Sequence, residues 1–272
     1  MREFQEAALS LPSAHRCIQS SPGIWGLPLG HCFFGVPQDG SFGWTVLNGI
    51  PEDLKGVHFY LGGECVELVA GFARSDCPRS VEQLSLGNSS FALGKGLDYS
   101  WLVKELSSAS FPNLRLLDLG VWELFSNSHC MFGRLGDVTS VLQSSPKVER
   151  LGLYGSFELS EPVRFGSLRD LTVTLEDHTT GSNGGFLSHS TFTKLLESDY
   201  PDLEEAFLNL ECEDDDFGYR FSEKFLEGEE LPRLKKLEIT GGFLEGERER
   251  LLASPIGTRS GVIIHHGDMT VS

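Results

Sequence analysis

Leu231-Pro232-Arg233-Leu234-Lys235-Lys236-Leu237-Glu238-Ile239 decides how this chain is built. An aliphatic residue, Leu234, is followed by two variable positions, a second aliphatic, Leu237, one variable position and a third, Ile239. The same phrase returns as Val81, Leu84 and Leu86, as Leu114, Leu117 and Leu119, as Val148, Leu151 and Leu153, and as Leu168, Leu171 and Val173. Weaker copies are Leu54, Val57 and Phe59, and Leu203, Ala206 and Leu208. The second and third aliphatic positions lie two residues apart, the period of a strand with one buried side. Recurrence of the phrase predicts units stacked side by side, each burying its apolar side on the next.

The segments before the phrase have a different rhythm. Val138–Gln143, Phe192–Glu197, Asp98–Leu106 and Phe221–Leu226 each predict a helix, and each is followed by a proline: Pro146, Pro201, Pro112 or Pro232. Proline stops the helix and starts the extended run into the strand. Steps between phrases vary, from 20 residues (148 to 168) to 35 (168 to 203). Such variation is tolerable because insertions fall between strands. The shortest step has no room for a full helix and predicts a loop. Arg248–Ala253 predicts a last helix, and Val262-Ile263-Ile264 a last strand that His265 and His266 leave.

Helix and strand in alternation, with strands in parallel register, give an α/β chain: a curved solenoid with parallel strands on the concave face and helices on the convex face. Residues 1–50 lack the phrase and predict an N-terminal cap, with Trp25, Phe33, Phe34 and Trp44 as its core and short strands near Cys32–Val36 and Trp44–Leu47. Residues 51–272 form the solenoid and its C-terminal cap.

Phe111-Pro112-Asn113-Leu114-Arg115-Leu116-Leu117-Asp118-Leu119 and the 231–239 stretch resemble the leucine-rich-repeat superfamily in its ribonuclease-inhibitor-like form. The run from Gly136-Asp137-Val138 through Ser160-Glu161-Pro162-Val163 to Leu168–Val173 is similar to a group of bacterial cytoplasmic leucine-rich-repeat proteins with no established activity. The superfamily places Asn or Cys eight positions after the first aliphatic residue, to satisfy backbone groups in the turn. Here those positions are Gly62, Ser89, Trp122, Ser156, Glu176, Glu211 and Gly242, so the turns must be satisfied otherwise.

The formal charge of −17 argues against a nucleic-acid partner, whose phosphates call for a basic surface, and against an anionic membrane surface. It favours a basic protein as partner. No run of 18 apolar residues predicts a membrane-spanning helix, and Met1–Glu6 does not open as a secretory signal. The six cysteines form no Cys-x-x-Cys pair, which fits reduced thiols in the cytoplasm.

Little points to chemistry. His265 and His266, with Asp268 beyond them, suggest a metal, but adjacent strand residues point to opposite sides. The acidic run Glu211–Asp216 lacks the alternation of a calcium loop, and Gly181–Gly185 lacks the lysine of a phosphate loop. We therefore expect no enzyme, no cofactor and no metal. The expected function is a protein-binding module using its strand surface. The rivals are an enzyme with its site in the N-terminal cap or near His265 and His266, and a structural subunit of a larger assembly.

Two rows of strand positions carry the binding expectation. Between the second and third aliphatics stand His58, Ser85, Asp118, Gly152, Thr172, Phe207 and Glu238. Just after the third stand Tyr60, Gly87, Gly120, Tyr154, Thr174, Asn209 and Thr240. The two rows are expected to face opposite ways, the first toward the concave side and the second contributing where strands end. His58, Tyr60, Asp118, Tyr154, Thr172, Phe207, Asn209 and Glu238 are the candidate contact residues, with the aromatics as anchors.

Overall fold

A computed structural model of the 272-residue chain describes residues 31–35, 55–60, 66–87, 98–121, 133–175, 187–210, 218–259 and 263–266. Among these the strands are β1 (His31–Gly35), β2 (Gly56–Tyr60), β3 (Gln83–Gly87), β4 (Leu116–Val121), β5 (Gly133–Asp137), β6 (Arg150–Glu158), β7 (Asp170–Leu175), β8 (Glu205–Leu210), β9 (Lys236–Gly241) and β10 (Ile263–His266). The helices are α1 (Val66–Arg74), α2 (Cys77–Ser80), α3 (Ser100–Leu106), α4 (Thr139–Gln143), α5 (His189–Glu197), α6 (Glu223–Glu227), α7 (Glu247–Ala253) and α8 (Pro255–Thr258).

The prolines act through a repeated turn. In Phe111–Leu114, Ser145–Val148, Tyr200–Leu203 and Leu231–Leu234 the fourth residue's N–H donates to the first residue's carbonyl, at 3.2–3.3 Å. Proline occupies the second position each time, where its fixed φ suits a β-turn. The fourth residue is the first aliphatic of the phrase, and it is buried in every copy. Each strand starts two residues later.

Eight strands (β2, β3, β4, β6, β7, β8, β9 and β10) run parallel in that order in an open sheet. β1 adds antiparallel to β2, within the expected cap, and is the one departure from parallel order on that path. The remaining expected cap strand, Trp44–Leu47, lies outside the described residues. Leu84, Leu117, Leu151, Leu171, Ala206 and Leu237 stand in register as one buried row. Leu86, Leu119, Leu153, Val173, Leu208 and Ile239 form the second. Both rows share one core cluster with helix residues such as Val69, Phe72, Leu102, Leu142, Phe192, Leu195 and Phe225. Burying each such side chain is worth about 1.5–3 kcal/mol. The core therefore lies on one side of the sheet, between strands and helices.

The expected helices form at α3, α4, α5, α6 and α7, and the short step from β6 to β7 holds no helix. Two departures follow from backbone freedom at glycine. β6 continues to Glu158, and its second half pairs in parallel with β5. Gly155, at φ 117°, makes this continuation possible, since a Cβ there would collide with the Gly133 carbonyl. Gly241, the last residue of β9, takes φ 135°, and beyond it the Tyr219 N–H donates to the Gly242 carbonyl and the Leu244 N–H to the Tyr219 carbonyl, each at 3.1 Å. These pairings satisfy turn groups at Ser156 and Gly242, two positions lacking the usual Asn. The last strand begins at Ile263 and includes His265 and His266, rather than ending before them.

A second regularity runs along the amino-terminal edge of the sheet. The residue after each first aliphatic is Lys55, Glu82, Arg115, Glu149, Arg169, Glu204 and Lys235, and its sign alternates without exception. From Lys55 to Glu204, the carbonyl of each accepts two N–H groups from the next coil, at 2.7–3.1 Å. Lys55 pairs with Glu82 at 3.1 Å and Arg115 with Glu149 at 3.8 Å, and Lys235 bonds Glu204. Exposed pairs are individually weak, but like charges directly opposite would destabilise the stack.

Candidate functional site

The side of the sheet away from the core holds the candidate residues. Along β7, β8 and β9 the buried positions alternate with half-buried or exposed ones: Asp170, Thr172 and Thr174, then Glu205, Phe207 and Asn209, then Lys236, Glu238 and Thr240. The two candidate rows are therefore on the same face, contrary to expectation. The reason is the strand period itself: positions 172 and 174, or 207 and 209, are two apart and must point the same way. The outward face is a lattice three rows deep.

Register places the first candidate row in line: His58, Ser85, Asp118, Gly152, Thr172, Phe207 and Glu238 are successive neighbours across the strands. His265 follows beside Glu238. In the second row Tyr154, Thr174, Asn209 and Thr240 are neighbours. Tyr60 pairs with Gly87, and the register then slips between Leu86 and Gly87, so that Val121 rather than Gly120 meets Gly87.

The face has two halves. On β3 and β4, Ser85 is 4% exposed and Leu116 7%, as buried as core residues although they point outward, while Gln83 and Asp118 beside them stay half-buried. On β6, Gly152 is also buried, with the Asp118 carboxylate and the Tyr154 ring lying over it. A Cβ at 152 would collide with both. On β7 to β9 the outward residues keep solvent contact. Thr240 Oγ1 donates to Asn209 Oδ1 at 2.8 Å, fixing that pair, and Thr172, Thr174, Asn209 and Thr240 are all shorter than Phe207.

Charge on this half leans acidic. Arg150 approaches Asp170 at 3.7 Å and Lys236 approaches Glu238 at 3.2 Å, while Glu205 is exposed between them. Burial pushes the Asp170 carboxyl above its ordinary range; Arg150 opposes this, and Glu205 and Glu204 reinforce it. Burial, with the two glutamates adding to it, outweighs the nearby guanidinium groups, so the carboxyl is held above its ordinary range.

A cleft of about 580 Å³ opens elsewhere, among Arg134, Asp137, Glu158, Ser160, Ser188 and Lys194. Its charged groups are engaged with one another or with backbone. Arg134 pairs with Glu158 at 3.1 Å, Lys194 Nζ donates to the Leu159 carbonyl at 2.9 Å, and Asp137 accepts the Thr139 N–H at 2.9 Å. Burial pushes the Asp137 carboxyl up, but bonds from Thr139 and Ser160 prevail and hold it below its ordinary range.

Among the described residues no group of three or more His, Cys, Asp or Glu is placed to hold a metal ion, and no helix is long and apolar enough to cross a membrane. The acidic run Glu211–Asp216 and the glycine run Gly181–Gly185 lie outside the described residues. Sequence reasoning missed the division of the outward face into two halves. The signal was the small residues Ser85, Gly87 and Gly152 gathered at one end.

No family profile and no curated protein matches the chain. Among solved structures it is similar to a Bacteroides fragilis protein, a structural-genomics target, at 18% identity and a TM-score of 0.48. The similarity covers 81% of this chain and 62% of that one. At that degree of overlap the likeness bears on neither family nor activity.

Proposed function

We propose that the chain is a non-catalytic protein-binding module of the leucine-rich-repeat kind, ribonuclease-inhibitor-like, and that its outward strand face meets the partner. Helices are wider than strands, so a stack with all helices on one side bends away from them and makes the strand face concave. The observation that carries the reading is the half-exposed lattice on β7, β8 and β9, centred on Phe207. Such a face is fixed before a partner arrives, so little ordering opposes association. Aromatic side chains supply large contact area at low entropy cost, which makes Phe207 and Tyr154 the candidate anchors.

The test is capture from a lysate of the native host with the full chain, its Phe207→Ala variant and its Tyr154→Ala variant. The reading expects specific capture by the parent chain that falls by about tenfold for Phe207→Ala, in the range of an anchor residue. Undiminished capture by both variants, with folding unchanged by circular dichroism, would sink it.

A further inference from the structure

We infer that the open half of the outward face takes an extended, positively charged peptide segment, one arginine or lysine of which lies on the Phe207 ring with its charge shared by Glu205 and Glu238. The inference rests on the proposed binding role of this face and names the chemistry of its partner.

Three features converge. Phe207 stands between Thr172 and Glu238 in register, and two residues after Glu205 on the same side of its own strand. Neighbouring strands are about 4.8 Å apart and alternate residues about 6.5–7 Å apart, so both glutamates reach a cation seated over the ring. A cation within about 6 Å of an aromatic centroid is attracted to the ring face. Thr172 beside Phe207 and Thr174, Asn209 and Thr240 beyond it are short, while Lys236, paired with Glu238, borders its other side. A long side chain therefore has room to lie flat.

The charges then choose the partner's sign. The outward positions from β4 to β9 carry Asp118, Asp170, Glu205 and Glu238 against Arg150 and Lys236, four acids to two bases. This differs from the amino-terminal edge, where the signs alternate down the stack. An acidic segment would meet repulsion on the face and in the chain's overall charge of −17. The sheet's inner strands already spend their backbone groups on one another, so recognition falls to side chains. A segment in extended form presents every second side chain to the face.

The experiment uses the full chain and fluorescein-labelled nonapeptides of Gly and Ser with three arginines at alternate positions. Controls carry three citrullines or three glutamates there. Anisotropy at about 50 mM and about 300 mM salt reads binding, since exposed charge pairs are screened over that range. The arginine peptide is expected to bind, and the citrulline and glutamate peptides to bind at least about tenfold more weakly. Phe207→Ala should weaken the arginine peptide by about 3- to 30-fold, the range of one cation–ring contact. The double variant Glu205→Gln/Glu238→Gln should weaken it further and flatten its salt dependence. The edge variant Glu82→Gln should leave it unchanged. Arginine binding that ignores both face variants, or that the glutamate peptide equals, overturns the inference. If Phe207→Ala still lowers capture from lysate by about tenfold while no arginine preference exists, the binding face stands and only its basic partner is lost. If Phe207→Ala alters neither readout, both fall.

Discussion

The two halves of the outward face are built on one sheet from one repeated phrase, yet they treat the same position differently. At Gly152 a buried glycine lies under Asp118 and Tyr154. One strand further along, its register partner Thr172 keeps solvent contact. Behind both, Leu151 and Leu171 are equally buried. The core rows are thus uniform along the stack, while the outward rows are free to differ. Stability needs every coil to supply its aliphatics; nothing comparable constrains the far side. On the proposed reading, the half that stays open is the one that receives the partner.

Substitutions can break or sharpen this contrast. The largest effect is expected at Gly152→Val, which forces new atoms between Asp118 and Tyr154. It should cost about 2 kcal/mol in urea unfolding, the range of overpacking. Thr172→Val, one place along the same row, should stay within about 0.5 kcal/mol, as surface changes do. Equal losses at the two sites would erase the distinction between the halves.

The next effect concerns the edge rather than the face. Glu149→Lys sets three like charges in sequence, Arg115, Lys at 149 and Arg169. It should cost about 1 kcal/mol at low salt and less at high salt, while leaving the proposed peptide binding at Phe207 unchanged. A loss that salt does not shrink would mean the alternation of signs has no electrostatic role.

The smallest effect is at Asp170, whose carboxyl is held above its ordinary range. A raised folded-state value favours the protonated form. Its contribution to stability is therefore present below the unfolded-state value and lost as pH rises through the folded-state value. Asp170→Asn should match or exceed the parent's stability at neutral pH, by no more than about 0.5 kcal/mol after solvent screening. The difference should vanish in acid. A variant clearly less stable at neutral pH would show that the Arg150 pair dominates instead.

The architecture was legible because burial leaves a periodic trace. Leu117 and Leu119, or Leu237 and Ile239, must alternate with outward residues if one side is dry. The second strand row was misassigned by a parity error, not by lack of signal: positions 152 and 154 share a side by the same rule that buries 151 and 153. β5 left almost no trace, because Gly133-Arg134-Leu135-Gly136-Asp137 has one aliphatic and two glycines. Its partner is the part of β6 that runs past the phrase. The alternating edge charges stood in plain letters, but they emerge only when Lys55 through Lys235 are aligned by register. Ser85 and Leu116 show the limit of one-dimensional reading. Both stand at outward positions of their strands, and both are buried.

Single cysteines placed at Ser85, Leu116, Thr172, Asn209 and Thr240, labelled in the folded protein and read peptide by peptide, test the division of the face directly. The account predicts rapid modification at 172, 209 and 240, and protection at 85 and 116 until the protein is unfolded. Uniform labelling at all five positions would contradict it.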